Sequence, residues 1–309
     1  MSSALEIYRS NPWLLITTAV VVGLMVGSFL NVVIHRVPVM LEREWRAQAE
    51  EILKGQEDLE LKPDLQGDPQ PRYNLVVPRS ACPKCGAMIT AAQNIPVLSY
   101  LWLKGKCASC GVRISMRYPL VELGTAILSA LVAWKFGFVW YTAAALLLTW
   151  MLIALSGIDI DHQLLPDNMT LSLVWLGLLL SLAPMVPSIG LPVDPRSSII
   201  GALAGYLSLW SVYHAFRLLT GKEGMGYGDF KLFAALGAWL GWQKLLPIIL
   251  LAAFTGAVIG ILMIVLRGRD RNVPIPFGPY LAAAGWIALM WGDELVASYL
   301  HFAGVSSVR

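Results

Sequence analysis

Charge is scarce in this sequence: 14% of its residues are Asp, Glu, Lys or Arg, where a soluble domain carries about 25%. That shortage excludes an ordinary soluble enzyme. With 57% hydrophobic residues and a mean hydropathy of +0.63, it indicates a polytopic membrane protein built on recurring apolar runs of roughly 20 residues. Also lacking are the motifs of the common nucleophilic, metal-hydrolase and nucleotide chemistries. No Gly-x-Ser-x-Gly, His-Glu-x-x-His or P-loop occurs, and Gly224-Met225-Gly226-Tyr227-Gly228 lacks the preceding strand that a dinucleotide fingerprint needs. Histidine is sparse, and His35, His162 and His214 are scattered. No short-period repeat is present. Cysteine is limited to four residues, all inside one polar segment.

The first apolar run, 13–34, is closed by His35 and Arg36. It is too long for the core of a signal peptide and no small-x-small cleavage site follows, so a retained span is expected. Residues 35–117 differ in kind, with 12 Lys/Arg and 9 Asp/Glu. A charged helical part (Leu41 to Leu61) precedes a Pro/Gly-rich part (Pro63 to Pro78) and then the cysteines. From Tyr118 onward, spans are predicted at 119–136, 138–157, 169–186, 198–217, 230–243, 245–266 and 278–300, with 230–243 short for a full crossing. Trp13, Tyr118, Trp140, Tyr141, Trp242, Tyr280 and Tyr299 lie at span ends, as an interfacial aromatic belt requires. The expected fold is an all-α polytopic membrane protein of about eight transmembrane helices with a small cytoplasmic zinc-binding insert carrying the four cysteines. Its parts are a first helix (1–34), the insert (35–117) and a seven-helix membrane domain (118–309).

Basic residues set the orientation. With the insert in the cytoplasm, the loops 158–168, 218–229 and 267–277 fall on the same side. That side holds 18 Lys/Arg, against 5 on the other: Arg9, Lys135, Arg196, Lys244 and Arg309. Arg267, Arg269 and Arg271 are the clearest indication. The N-terminus is then outside, and the cysteines and both acidic motifs described below face the cytoplasm.

Cys82-Pro83-Lys84-Cys85-Gly86 and Cys107-Ala108-Ser109-Cys110-Gly111 are near-copies. In each, the glycine permits the tight turn that aims backbone N–H groups at sulfur, the knuckle of a tetrahedral four-thiolate zinc site. A reducing cytosol disfavours disulfides, and a redox Cys-x-x-Cys would stand singly beside a βαβ pattern that is absent. Four thiolates leave no open coordination position, so the expected role is structural. Lys104, Gly105 and Lys106 adjoin the second knuckle and read first as membrane-surface charge, with contact to an anionic cofactor or substrate group as the alternative.

The membrane half carries few carboxylates. Asp194 belongs to a loop, Asp270 sits among arginines, and Asp293 and Glu294 come late in the last span. Asp167 is expected to cap a helix after Pro166. Asp229 follows the glycine-rich turn and directly precedes an apolar run. Capping suits such a residue, but three glycines in five positions also point to close backbone approach. Asp159 and Asp161 end a long apolar span with no cation adjacent in sequence, and His162 is near enough to tune them. A carboxylate in a span is costly and marks a functional site by default. Two carboxylates brought together from different helices share a proton, an arrangement suited to peptide hydrolysis without a metal.

Taken together, these features resemble the bacterial type IV prepilin peptidases, bifunctional leader peptidases and N-methyltransferases of the GxGD aspartyl intramembrane protease class. Gly27-Ser28-Phe29-Leu30-Asn31-Val32-Val33-Ile34-His35-Arg36 resembles the family's first-helix motif, and Arg117-Tyr118-Pro119-Leu120-Val121-Glu122 its junction into the second helix. The knuckles resemble its zinc domain. Asp159, with Leu165-Pro166 following, and Gly226-Tyr227-Gly228-Asp229 are similar to its aspartyl pair. The resemblance implies Asp159 rather than Asp161 as the first catalytic aspartate, Asp229 as the second, and Cys82, Cys85, Cys107 and Cys110 as zinc ligands. Gly105 and Lys106 fall where the family has residues implicated in methyl transfer from S-adenosylmethionine. It further implies prepilin and pseudopilin substrates with a basic leader, a bacterial inner-membrane location within the lipid bilayer, and no nucleic-acid partner. A peptidase lacking the transferase, or a proton- or cation-coupled transporter using intramembrane carboxylates, are the alternatives.

Overall fold

The structure, a computed structural model, describes residues 2–54, 72–182, 192–267 and 275–302. Among these the chain forms ten α-helices and no named strand. They are α1 (Ser2–Ser10), α2 (Pro12–Lys54), α3 (Leu98–Trp102), α4 (Arg117–Phe136), α5 (Trp140–His162), α6 (Asp167–Ser181), α7 (Pro195–Thr220), α8 (Tyr227–Leu240), α9 (Leu245–Arg267) and α10 (Gly278–Phe302). Five described helices are long and apolar enough to cross a membrane, and α6 is apolar but shorter. The fold is the expected all-α polytopic membrane fold. The stretch 55–71, which holds part of the charged and Pro/Gly-rich segments, lies outside the described residues. So do the end of the span expected at 169–186, and Arg269, Asp270 and Arg271.

The chain divides into two compact units, Val21–Ala126 and Met1–Val20 with Ile127–Arg309. In the first, the apolar run that ends near Ile34 does not end its helix. α2 continues through Pro38 to Lys54 over 43 residues, because the segment after it is rich in Glu, Arg and Ala, all good helix formers. Small and polar residues of Gly27–Arg36 bind α2 to its surroundings. A Cβ on Gly27 would lie 2.7 Å from the Glu122 Cα, so only glycine lets α2 and α4 approach this closely. Asn31 Nδ2 donates to the Tyr118 carbonyl at 3.1 Å. The buried Arg36 donates to the carbonyls of Asn74 and Pro78 at 2.8 and 2.7 Å, which satisfies a charge that would otherwise be costly to bury.

The second unit is organised around α8. Every residue from Asp229 to Leu240 except Lys231 is buried. Glycines make this possible: a Cβ on Gly237 would lie 2.1 Å from the Gly201 carbonyl oxygen, and one on Gly205 would lie 2.6 Å from that of Phe233. α7 therefore packs on α8 backbone to backbone. α8 is as short as expected, 14 residues, but lies three residues earlier, stopped by Gly241 at φ +84° and followed by a 3-10 turn over Trp242–Lys244. Two buried polar side chains along this seam are satisfied: Trp239 Nε1 donates to the Leu173 carbonyl at 2.8 Å, and Ser198 Oγ to the Ala238 carbonyl at 2.6 Å. Asp293 and Glu294 pair with Lys244 and Lys135 at 3.0 and 3.3 Å, and Asp194 caps α7 by accepting from the Ser197 amide at 3.0 Å.

Candidate active site and cysteine centre

α5 ends where its acidic cluster lies. Gln163 turns left-handed at φ 52° with its N–H on the Asp159 carbonyl, and Pro166, which has no N–H, prevents the helix from resuming until Asp167. The burial pattern then separates the two aspartates that sequence left equal. Asp159 is 5% exposed, whereas Asp161 and His162 are exposed. Pro166, not Asp167, stands at the cap of α6. Asp167 is the first helical residue, and its carboxylate accepts from Lys231 instead, which corrects the capping role expected for it.

Two glycines enclose Asp159. Gly278, the first residue of α10, donates its N–H to Asp159 Oδ2 at 3.0 Å, and a Cβ there would lie 2.6 Å from that oxygen. A helix N-terminus thus aims a backbone amide at a buried carboxylate. Gly228 approaches the turn after α5 so closely that a Cβ would lie 2.6 Å from Leu165 Cβ. The glycine-rich stretch is therefore what lets the start of α8 reach the Asp159 turn, as its composition suggested.

Asp229 is the third residue of α8, with Gly226 at the cap. Asp229 Oδ1 is buried with no hydrogen-bond partner among the described residues, a costly state for a structural residue. Gly228 and Gly278 both lie against Leu165, so the starts of α8 and α10 converge on the turn that follows Asp159. Phe230, wholly buried against Tyr206, Tyr213 and Tyr227, forms an apolar wall beside Asp229. A pair of carboxylates in such surroundings can hold one proton between them.

The four cysteines also converge. Their Sγ atoms all lie within 4.8 Å of one another, with Cys82 and Cys110 at 3.8 Å. Tetrahedral thiolates about 2.3 Å from a zinc ion stand about 3.8 Å apart, so the donor set fits such a metal. The two knuckles are built alike. Cys82 and Cys107 receive N–H bonds from Gly86 and Gly111 and donate to Ala87 and Val112, all at 2.9 Å. Both glycines are left-handed. Backbone N–H groups of Cys85 and Lys84 hold the Cys82 thiol down at about 6, and those of Cys110 and Ser109 lower Cys107. Both favour the thiolate that binds metal.

Gly105 is buried at φ +66°, and a Cβ on it would meet the Tyr100 hydroxyl at 2.8 Å. Its glycine is therefore required by the turn into the second knuckle. Lys106 is exposed and bridges Arg113 in the backbone.

Sequence reasoning did not single out Gly278. Its signal is faint, a Gly-Pro step (Gly278-Pro279) opening the last span. It also passed over the role of Glu122, whose buried carboxylate accepts from the Val97 amide at 2.8 Å.

The fold and these sites define a polytopic membrane protein with buried carboxylates and a tetracysteine centre. Residues 21–136 match the Bacterial Peptidase A24 N-terminal domain and residues 146–261 the Type IV leader peptidase family. The chain is 55% identical to a prepilin leader peptidase/N-methyltransferase of Aeromonas hydrophila, over 97% of this chain and 99% of that protein. It is 54% identical to a protein of the same name from Pseudomonas aeruginosa over 97% and 98%, and 53% identical to one from Stutzerimonas stutzeri over 96% and 98%. No solved structure matches. The chain belongs to the type IV leader peptidase family.

Proposed function

We propose that this chain cleaves the basic leader of type IV prepilins and pseudopilins at the cytoplasmic face of the bacterial inner membrane, then N-methylates the new terminus. Asp159 and Asp229 are the catalytic pair. The observation that carries the reading is the convergence of Asp159, held by the Gly278 amide, with Asp229 and its unpartnered buried oxygen. The Gly278 amide on Asp159 supports a division of roles. Asp159, which accepts an N–H, is the ionised base, and Asp229 keeps the shared proton.

Asp159 takes a proton from water as the water oxygen bonds to the scissile carbonyl carbon, and Asp229 donates to the carbonyl oxygen. The tetrahedral species collapses with cleavage of the C–N bond as Asp159 passes its proton to the leaving amine and Asp229 takes one back from a hydroxyl of the diol. The membrane domain 118–309 carries this chemistry.

Cys82, Cys85, Cys107 and Cys110 hold zinc, which orders an insert (35–117) too polar to build its own core. The names of the relatives support the methyl transfer, for which S-adenosylmethionine supplies the methyl group, with Gly105 and Lys106 near its site. The excess of basic residues supports a cytoplasmic insert and an external N-terminus.

The test is cleavage of a prepilin by purified Asp159→Asn and Asp229→Asn proteins in lipid. Each is expected to lose cleavage while remaining folded, and persistent cleavage by either variant refutes the pair.

A further inference from the structure

α3 is built the wrong way round for a helix in water. Within Leu98–Trp102 the residues at spacings of three and four share one face: Leu98, Leu101 and Trp102. They are 64%, 66% and 76% exposed. The opposite side holds Tyr100, which packs on Gly105 and donates its hydroxyl to the Ile114 carbonyl at 3.3 Å. The polar anchor thus faces the protein and the apolar face points away from it. Nothing among the described residues covers that face.

A hydrogen bond fixes the level at which this face lies. The Val97 N–H, immediately before α3, donates to Glu122 Oε2 at 2.8 Å. Val97 is held for this at φ 58°, ψ −47°, a conformation that a β-branched residue rarely takes. Glu122 belongs to α4, a membrane span that begins at Arg117, so it stands five residues into the helix, about 7.5 Å along its axis. Tyr118, at the same end of α4, is 47% exposed and suits a headgroup-level aromatic. α3 is therefore tied to the depth at which headgroups give way to acyl chains, a layer of about 5–10 Å in which amphipathic helices lie. Directly after it, Lys104 projects from a left-handed backbone (φ 53°) and is exposed.

We propose that α3 is a membrane-surface anchor. Leu98, Leu101 and Trp102 seat in the headgroup–acyl boundary, and Lys104 meets the phosphates of anionic lipids. The partner is the lipid bilayer rather than a second protein, because the tie to Glu122 places the face at bilayer level and Trp with Lys is the pairing that an interface selects. The inference depends on α4 crossing the membrane and is independent of the catalytic reading.

The experiment places a photo-crosslinking benzoylphenylalanine, one position at a time, at Leu98, Leu101 or Trp102 of the full chain. An exposed knuckle residue, Lys84, serves as the control position. The protein is reconstituted in phosphatidylcholine vesicles with or without phosphatidylglycerol, and adducts are read by mass spectrometry. Lipid adducts are expected at all three positions and not at the control, with phosphatidylglycerol favoured over phosphatidylcholine severalfold and that preference lost in Lys104→Gln. A chain–chain product would mean that the face joins two copies, an adduct within the chain would mean that it is covered by protein, and absence of lipid adducts would mean that it faces water. Any of these overturns the proposal. A preference unchanged in Lys104→Gln overturns its anionic part.

Discussion

Gly278 sits so close to Asp159 that a single methyl group would collide with the carboxylate oxygen it serves. Gly278→Ala is therefore expected to displace Asp159 and lower kcat by about 10²-fold, the scale of a misplacement near 1 Å. Its melting temperature and metal content should stay close to those of the parent, and prepilin cleavage measured alongside thermal unfolding checks this. Gly228→Ala has a different target, the Leu165 Cβ, an atom that alanine also carries, so cleavage is expected to fall and adding Leu165→Ala should not restore it. At this scale the sequence was informative about the aspartates and uninformative about their supports. Asp159 and Asp229 stand out because carboxylates next to apolar runs are costly whatever surrounds them. Gly278 does not, because its significance lies in a contact with a residue 119 positions away. Asp167 misled for a related reason. Its local signal is that of a cap, but Lys231 from another helix takes the carboxylate.

The helices show the same division between local and distant causes. Apolar runs marked most of the spans, yet α2 runs on to Lys54 because the polar residues after its apolar part also favour helix. α8 begins three residues before the predicted start because glycines that read as a turn serve to bring it against Leu165 and α7. That seam can be tested separately from the chemistry. Gly237→Ala forces a Cβ into the Gly201 carbonyl, and overpacking of this kind costs about 1–3 kcal/mol. A lowered melting temperature is expected, with cleavage falling only in proportion to the folded fraction. A loss of kcat at full stability would be the outcome against it.

For the molecule as a whole, the clearest expectation concerns the metal. Purified protein should contain one zinc per chain, and Cys82→Ser with Cys107→Ser should abolish it. Limited proteolysis should then cut within the insert while circular dichroism of the membrane helices changes little. Metal-free protein whose insert stays protease-resistant would contradict this. The cysteine centre was fully legible because each knuckle is a local structure, closed by its own glycine, and only the pairing of the two knuckles is long-range. The central helix α8 bears on a different question, how the chain enters the bilayer at all. At 14 residues it extends about 21 Å, against a hydrocarbon core of about 30 Å. A helix that short is a poor signal for membrane insertion when it emerges alone. Its place depends on α6 and α7, made before it, and on α10, made after it. The amide that holds Asp159 comes from Gly278 at the start of α10, so that a chain still under synthesis lacks this support until α10 has arrived.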